Sequence, residues 1–168
     1  MPDDAGHLLL AAPGSTVPLL IAIVVLLLLS GFFSSMETAY SCSNKLKLKT
    51  MSANGNKRAG KTLALAEKYD SLLSTILVGN NIVNITTSTL SGILFGFLIA
   101  NQATSATVST VITTIAVLIV GEITPKMIAN VYPEKFAMAG YPVLMFFKVL
   151  LYPVNIIFSV YKGLLAKM

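Results

Sequence analysis

The sequence predicts an all-α membrane protein with three transmembrane helices per chain, joined by short interfacial and juxtamembrane helices. Three observations carry this prediction. The 168 residues are 55% hydrophobic and only 11% charged, against roughly a quarter charged in an average soluble domain. Residues 17–36 hold no charged side chain, about the length a helix needs to cross the hydrocarbon of a bilayer. Two further apolar stretches, Ser71 to Ala100 and Thr107 to Val120, are also uncharged.

Residues 1–16 contain Pro2, Pro13 and Gly14 and read as an irregular lead on the exoplasmic side. The start carries Asp3 and Asp4 with no Lys or Arg before Lys45. A cleaved signal peptide wants a basic start, so the first apolar segment, from about Val17 to Tyr40, reads as a retained helix. Seven of the twelve basic residues, Lys45, Lys47, Lys49, Lys57, Arg58, Lys61 and Lys68, fall between the first and second apolar stretches. That crowding marks a cytoplasmic loop, with the N-terminus outside. Nucleic acid is excluded as a partner because no aromatic residue interleaves with these cations before Tyr69; anionic lipid headgroups are the partner that fits. Within the loop, Leu46, Leu48, Met51, Leu63, Leu65 and Ala66 recur at near-helical spacing, and Asn54-Gly55-Asn56 is a turn signal. Two short interfacial helices follow from this.

Asp70 is placed to cap the second apolar helix, whose length implies a helix that is long, tilted or broken. Asn101 to Ser105 reads as the exoplasmic turn before the third. Lys126 and Lys135 then return the chain to the cytoplasm. The last stretch, Phe136 to Leu165, carries Lys148 in its middle with Gly140, Pro142 and Pro153, and a fourth span would put Lys162 and Lys167 outside. A belt or partly embedded helix pair, ending in the cytoplasm, is therefore favoured over a fourth span. Three spans make a thin bundle, and a homodimer is expected. Gly92 and Gly96 offer a small-xxx-small pair for the contact.

Ionisable groups at membrane depth are functional hypotheses by default. Glu37 and Glu122 are two such acids. Glu122 stands in Gly121-Glu122-Ile123-Thr124-Pro125-Lys126, and Pro125 has no N–H to donate to the Gly121 carbonyl four residues earlier. A freed carbonyl beside a carboxylate is an oxygen pair suited to a hard cation. Ser30 and Ser34, with Glu37 three residues on, project from one face of the first helix. Asn80 and Asn84 share a face of the second, with Asn81 about 100° away. Each set has a structural alternative: an interfacial Glu37–Lys pair, a proline kink, serines bonded to their own helix, amides bonded between helices. Together they present hydroxyl, amide, carbonyl and carboxylate oxygens without thiolate or imidazole, a set that selects Mg²⁺, Ca²⁺ or Na⁺ over zinc or copper. Cys42 and His7 stand alone in the chain and carry no role. Neither a nucleophile–base pair nor a phosphate loop is visible, so no enzyme is expected.

Ser30-Gly31-Phe32-Phe33-Ser34-Ser35-Met36-Glu37-Thr38-Ala39, Gly79-Asn80-Asn81-Ile82-Val83-Asn84 and Gly121-Glu122-Ile123-Thr124-Pro125-Lys126 resemble the transmembrane domain shared by bacterial CorC and animal CNNM (cyclin M) proteins. The resemblance covers about residues 17–165, and the Gly-Glu-Ile-Thr-Pro-Lys element is its most specific part. It implies a homodimeric Mg²⁺ transporter or exporter driven by Na⁺, with three spans and a juxtamembrane belt. It also implies a largely dehydrated Mg²⁺ held by Ser30, Ser34, Asn80 or Asn84, the Gly121 carbonyl and Glu122. Ser35 departs from the Gly often found there. Full-length members continue into cytosolic CBS domains that bind ATP with magnesium, so the resemblance implies that these 168 residues are a piece of a longer protein. The competing expectation is a membrane scaffold or regulatory subunit whose polar residues only hold helices together.

Overall fold

The computed structural model describes residues 13–153 and Ile156. Its helices in chain order are α1 (Pro13–Cys42), α2 (Lys45–Ala53), α3 (Lys57–Ala66), α4 (Tyr69–Leu98), α5 (Gln102–Ala116), a π-helical stretch (Val117–Ile123), α6 (Thr124–Val131) and α7 (Pro133–Leu150). Among the described residues three helical rods are long and apolar enough to cross a membrane: Thr16–Cys42, Tyr69–Leu98 and Gln102–Val131, the last running through the π-helical stretch. The all-α membrane architecture read from the sequence is the one observed.

Helix ends follow local chemistry. α1 begins at Pro13, ahead of the expected Val17, because the first helical turn needs no N–H from proline; the remainder of the expected lead lies outside the described residues. Asn44 caps α2 by accepting from the Leu46 and Lys47 N–H groups at 2.9 and 3.1 Å. Asn56 caps α3 in the same way through Arg58 and Ala59. Between them Gly55 takes φ +90°, a left-handed turn position that favours glycine. Asp70 does not cap α4. Lys68 holds the cap position without a side-chain bond and Asp70 sits in the first turn, where a negative charge suits the helix dipole. α4 then runs unbroken for 30 residues, about 45 Å at 1.5 Å per residue, so the long helix is the one realised. The following turn is shorter than expected. Asn101 accepts from the Thr104 N–H at 3.1 Å and starts α5 at Gln102, which makes most of the expected turn helical.

α1 is the central rod and packs against α4, against the π-helical stretch with α6, and against α7. Its buried Phe33, Met36, Ala39 and Tyr40 join Leu72 and Ile76 of α4, Ala129 of α6, and Ala137 and Leu144 of α7 in one core. Two glycines set the close approaches. A Cβ on Gly79 would strike the Phe33 ring, and one on Gly31 would stand 3.1 Å from the Pro125 ring.

α7 runs antiparallel to the half of α1 nearest α2. Glu134 lies at the α2 end, where its carboxylate meets Lys47 at 3.0 Å and the Asn44 N–H at 3.3 Å. Further along, Ala137 accepts from the Tyr40 hydroxyl at 3.4 Å, Gly140 lies against Met36 and Phe32, and the Phe147 ring meets Phe33 edge-on at 4.9 Å. α7 therefore climbs only about halfway along α1. It carries Glu134, Lys135 and Lys148 and is not among the three candidate spans, as the partly embedded belt required. From residue 154 on, apart from Ile156, that predicted segment lies outside the described residues. Apolar side chains on all three rods face outward, among them Leu28, Ile85 and Ile119; hydrocarbon is the solvent that suits such a surface.

Candidate cation site

Halfway along the bundle, α1, α4 and the π-helical stretch bring polar groups to one point. Ser30 is fully buried. Its Oγ lies 2.7 Å from Asn84 Oδ1, 3.2 Å from Asn80 Oδ1 and 3.4 Å from the Gly121 carbonyl oxygen. Four oxygens thus converge with one hydroxyl hydrogen among them, and one hydrogen serves only one acceptor well. Asn84 is oriented from its other side, where its Nδ2 donates to Glu122 Oε1 at 3.2 Å. A carboxylate only accepts, so this bond turns Asn84 Oδ1 toward Ser30.

The approach of Gly121 to Ser30 depends on the missing side chain. A Cβ there would stand 2.7 Å from Ser30 Oγ. The expected effect of Pro125 takes a specific form: instead of a simple kink, residues 117–123 widen into a π-helix, in which Thr124 N–H reaches back to the Ile119 carbonyl. Such stretches often mark functional sites, and this one turns Gly121 and Glu122 toward α1 and α4. Ser34, one turn from Ser30, is fully buried and its Oγ has no hydrogen-bond partner among the described residues. A buried hydroxyl left unpaired is costly, and this one stands one helical turn from the Ser30 cluster.

All six residues singled out from the sequence therefore lie on the three rods around this point, and five are linked by the distances above. Asn81 is exposed and faces away. Ser35 bonds back to its own helix, donating to Gly31 O at 2.7 Å. Glu37 meets Lys126 at 3.0 Å: the expected lysine pairing exists, but the partner comes from the Glu122 hexapeptide and not from the basic loop. Among the described residues no three His, Cys, Asp or Glu side chains cluster, so a cation here would rest on neutral oxygens and one carboxylate. The tight contacts of Gly31 and Gly79 escaped sequence reasoning, although both glycines stand inside the motifs.

The cyclin M transmembrane N-terminal domain matches residues 21–168 of the chain. The chain belongs to the cyclin M (CNNM) transmembrane family. Among its relatives are the Escherichia coli UPF0053 inner membrane protein YfjD, 39% identical over 109 residues, which are 65% of this chain and 25% of that protein. A Haemophilus influenzae UPF0053 protein is 39% identical over 117 residues, 70% of this chain and 27% of its own length. A Mycoplasma pneumoniae UPF0053 protein is 30% identical over 152 residues, 86% of this chain and 36% of its own. The chain thus spans roughly a quarter to a third of the curated relatives it matches. The cyclin M match covers every residue of the candidate site.

Proposed function

We propose that this domain carries Mg²⁺ across the membrane, with Ser30, Ser34, Asn80, Asn84, the Gly121 carbonyl and Glu122 as the ion's oxygen ligands. The observation that carries the reading is the crowding of acceptor oxygens about Ser30 with one hydrogen to share. Oxygens on neighbouring corners of an octahedral Mg²⁺ sit roughly 3 Å apart. The separations of 2.7, 3.2 and 3.4 Å lie about that value. Glu122 supplies the only formal charge in the set, enough to favour a divalent ion over water without trapping it. Ser34 adds an oxygen that has no hydrogen-bond partner among the described residues.

Transport is export coupled to Na⁺, the N-terminus lies outside, and α2 and α3 lie in the cytoplasm with the basic residues. The domain works as a homodimer and performs no enzymatic reaction. Gly92 and Gly96 have open space beside them, which supports close approach of a second copy there. In proteoliposomes, Mg²⁺ flux is expected to need an opposing Na⁺ gradient and to vanish in Glu122→Ala. Flux without regard to Na⁺ removes the coupling. No flux in either protein, with an intact fold, returns the polar residues to holding a membrane scaffold together.

A further inference from the structure

Glu37 and Lys126 are the ionisable pair that the ion site leaves unexplained. Glu37 lies seven residues from Ser30 on α1, almost directly beneath it on the same face and about 10 Å further along the axis. Lys126 Nζ meets Glu37 Oε2 at 3.0 Å, and their side chains are 41% and 30% exposed, so the pair is partly open to its surroundings between the oxygen cluster and the α2 end of the bundle. Lys126, in α6, also follows Glu122, near the end of the π-helical stretch, by four residues with the acid first, the favourable order for a pair in an α-helix. It meets the carboxylate of Glu37, while that of Glu122 stands four residues before it in the chain. Glu122 carries no ion pair among the described residues; it only accepts from Asn84.

We propose that Lys126 is a tethered cation that competes with the transported ion for Glu122, with Glu37 as its resting place while the site is loaded. The physical need is plain. A carboxylate at membrane depth is costly without a counter-charge, and when a divalent ion leaves, Glu122 has none. The ammonium of Lys126 supplies it by exchanging Glu37 for Glu122, and a new ion drives it back. Only side chains need to move, because the backbones are held together at this level: Gly31 abuts the Pro125 ring and Val120 O, and Ser35 Oγ lies 3.4 Å from Pro125 O. Two other cations near this end are engaged elsewhere, Lys135 over the Tyr132 ring at 5.0 Å and Lys47 with Glu134 at 3.0 Å. The exchange lowers the affinity of the site at the moment of release and keeps the empty site neutral for the return step. This inference rests on Glu122 being an ion ligand, and its test is separable from that reading.

The test is a double-variant cycle on the full-length protein in lipid nanodiscs, with Mg²⁺ affinity by calorimetry and melting temperature beside it. Lys126→Met removes the competitor and is expected to tighten Mg²⁺ binding about tenfold. Glu37→Gln removes the resting place, leaves Lys126 on Glu122, and is expected to weaken binding about fivefold or more. In the combined variant, Glu37→Gln should add nothing to Lys126→Met, because its effect acts through the lysine. An equal loss from Glu37→Gln with and without Lys126 overturns the proposal, since Glu37 would then only attract the ion through space. Lowered melting temperatures with unchanged affinities overturn it too and leave a plain clamp between α1 and α6. Lys126→Met keeps the test open if Glu37→Gln does not fold: unchanged affinity in that variant alone is contrary to competition. A parent protein that binds no Mg²⁺ overturns the ion site as well, whereas binding that Glu122→Ala abolishes, with no effect of Lys126→Met, overturns the competition alone.

Discussion

Ser34 separates a ligand from a packing residue by sign. Its hydroxyl is buried without a partner among the described residues, so Ser34→Ala removes a desolvated group and should leave the ion-free protein as stable or up to about 1 kcal/mol more stable. The same change removes one oxygen from a six-coordinate ion, and Mg²⁺ affinity should fall about tenfold, the effect of ~1.4 kcal/mol. Melting temperature without Mg²⁺, and calorimetry with it, read the two effects. Ser30→Ala should weaken binding by a similar factor. Gly121→Ala places a methyl group 2.7 Å from Ser30 Oγ and should cost both stability and binding. The candidate ligands were legible because intramembrane oxygens are conspicuous in an apolar chain. Their partners were less so: a lysine four residues past a carboxylate gives no sign of which neighbour it pairs with, and Lys126 turned to Glu37.

Elements set the depth and tilt of these residues. α7 and α2 are tied through Glu134, which is 7% exposed. Burial pushes its carboxyl upward, but bonds from Lys47, from its own backbone and from the Asn44 N–H, with the charge of Lys47, outweigh this and hold its pKa below the ordinary 4.5. A folded-state pKa below the unfolded one adds stability that is fully present above the unfolded value and lost as pH falls through the folded one. The contact should hold above about pH 4.5 and weaken in more acid solution; hydrogen exchange of α2 amides against pH reads this, and Glu134→Gln should flatten the dependence. The caps at Asn44 and Asn56 emerge only from the structure, whereas the spans themselves were legible from uncharged runs, as was the turn at Asn54-Gly55-Asn56. Asp70 and the turn after α4 were not, because one asparagine outweighed the periodicity, and the π-helix was not, because Pro125 permits either a kink or a widened turn.

At the scale of the whole molecule, three rods surround one cluster of oxygens, with a short helix wedged beside the central rod and apolar faces turned outward. Cysteines at Lys57 and Gln102, which sit at opposite ends of the bundle, should label from opposite sides of the membrane, Lys57 from the cytoplasm; labelling of both from one side contradicts the topology. Gly92→Ile fills the open stripe on α4 and should lower the dimer fraction in detergent without altering the monomer's helix content, as sedimentation and circular dichroism would show. Neither test reaches the centre of the account, which is that the oxygens about Ser30 and Glu122 bind Mg²⁺. Calorimetric titration of the purified protein and of Glu122→Ala does so most directly. Saturable Mg²⁺ binding in the parent, abolished in a folded Glu122→Ala, is the predicted result; equal binding in both proteins contradicts it.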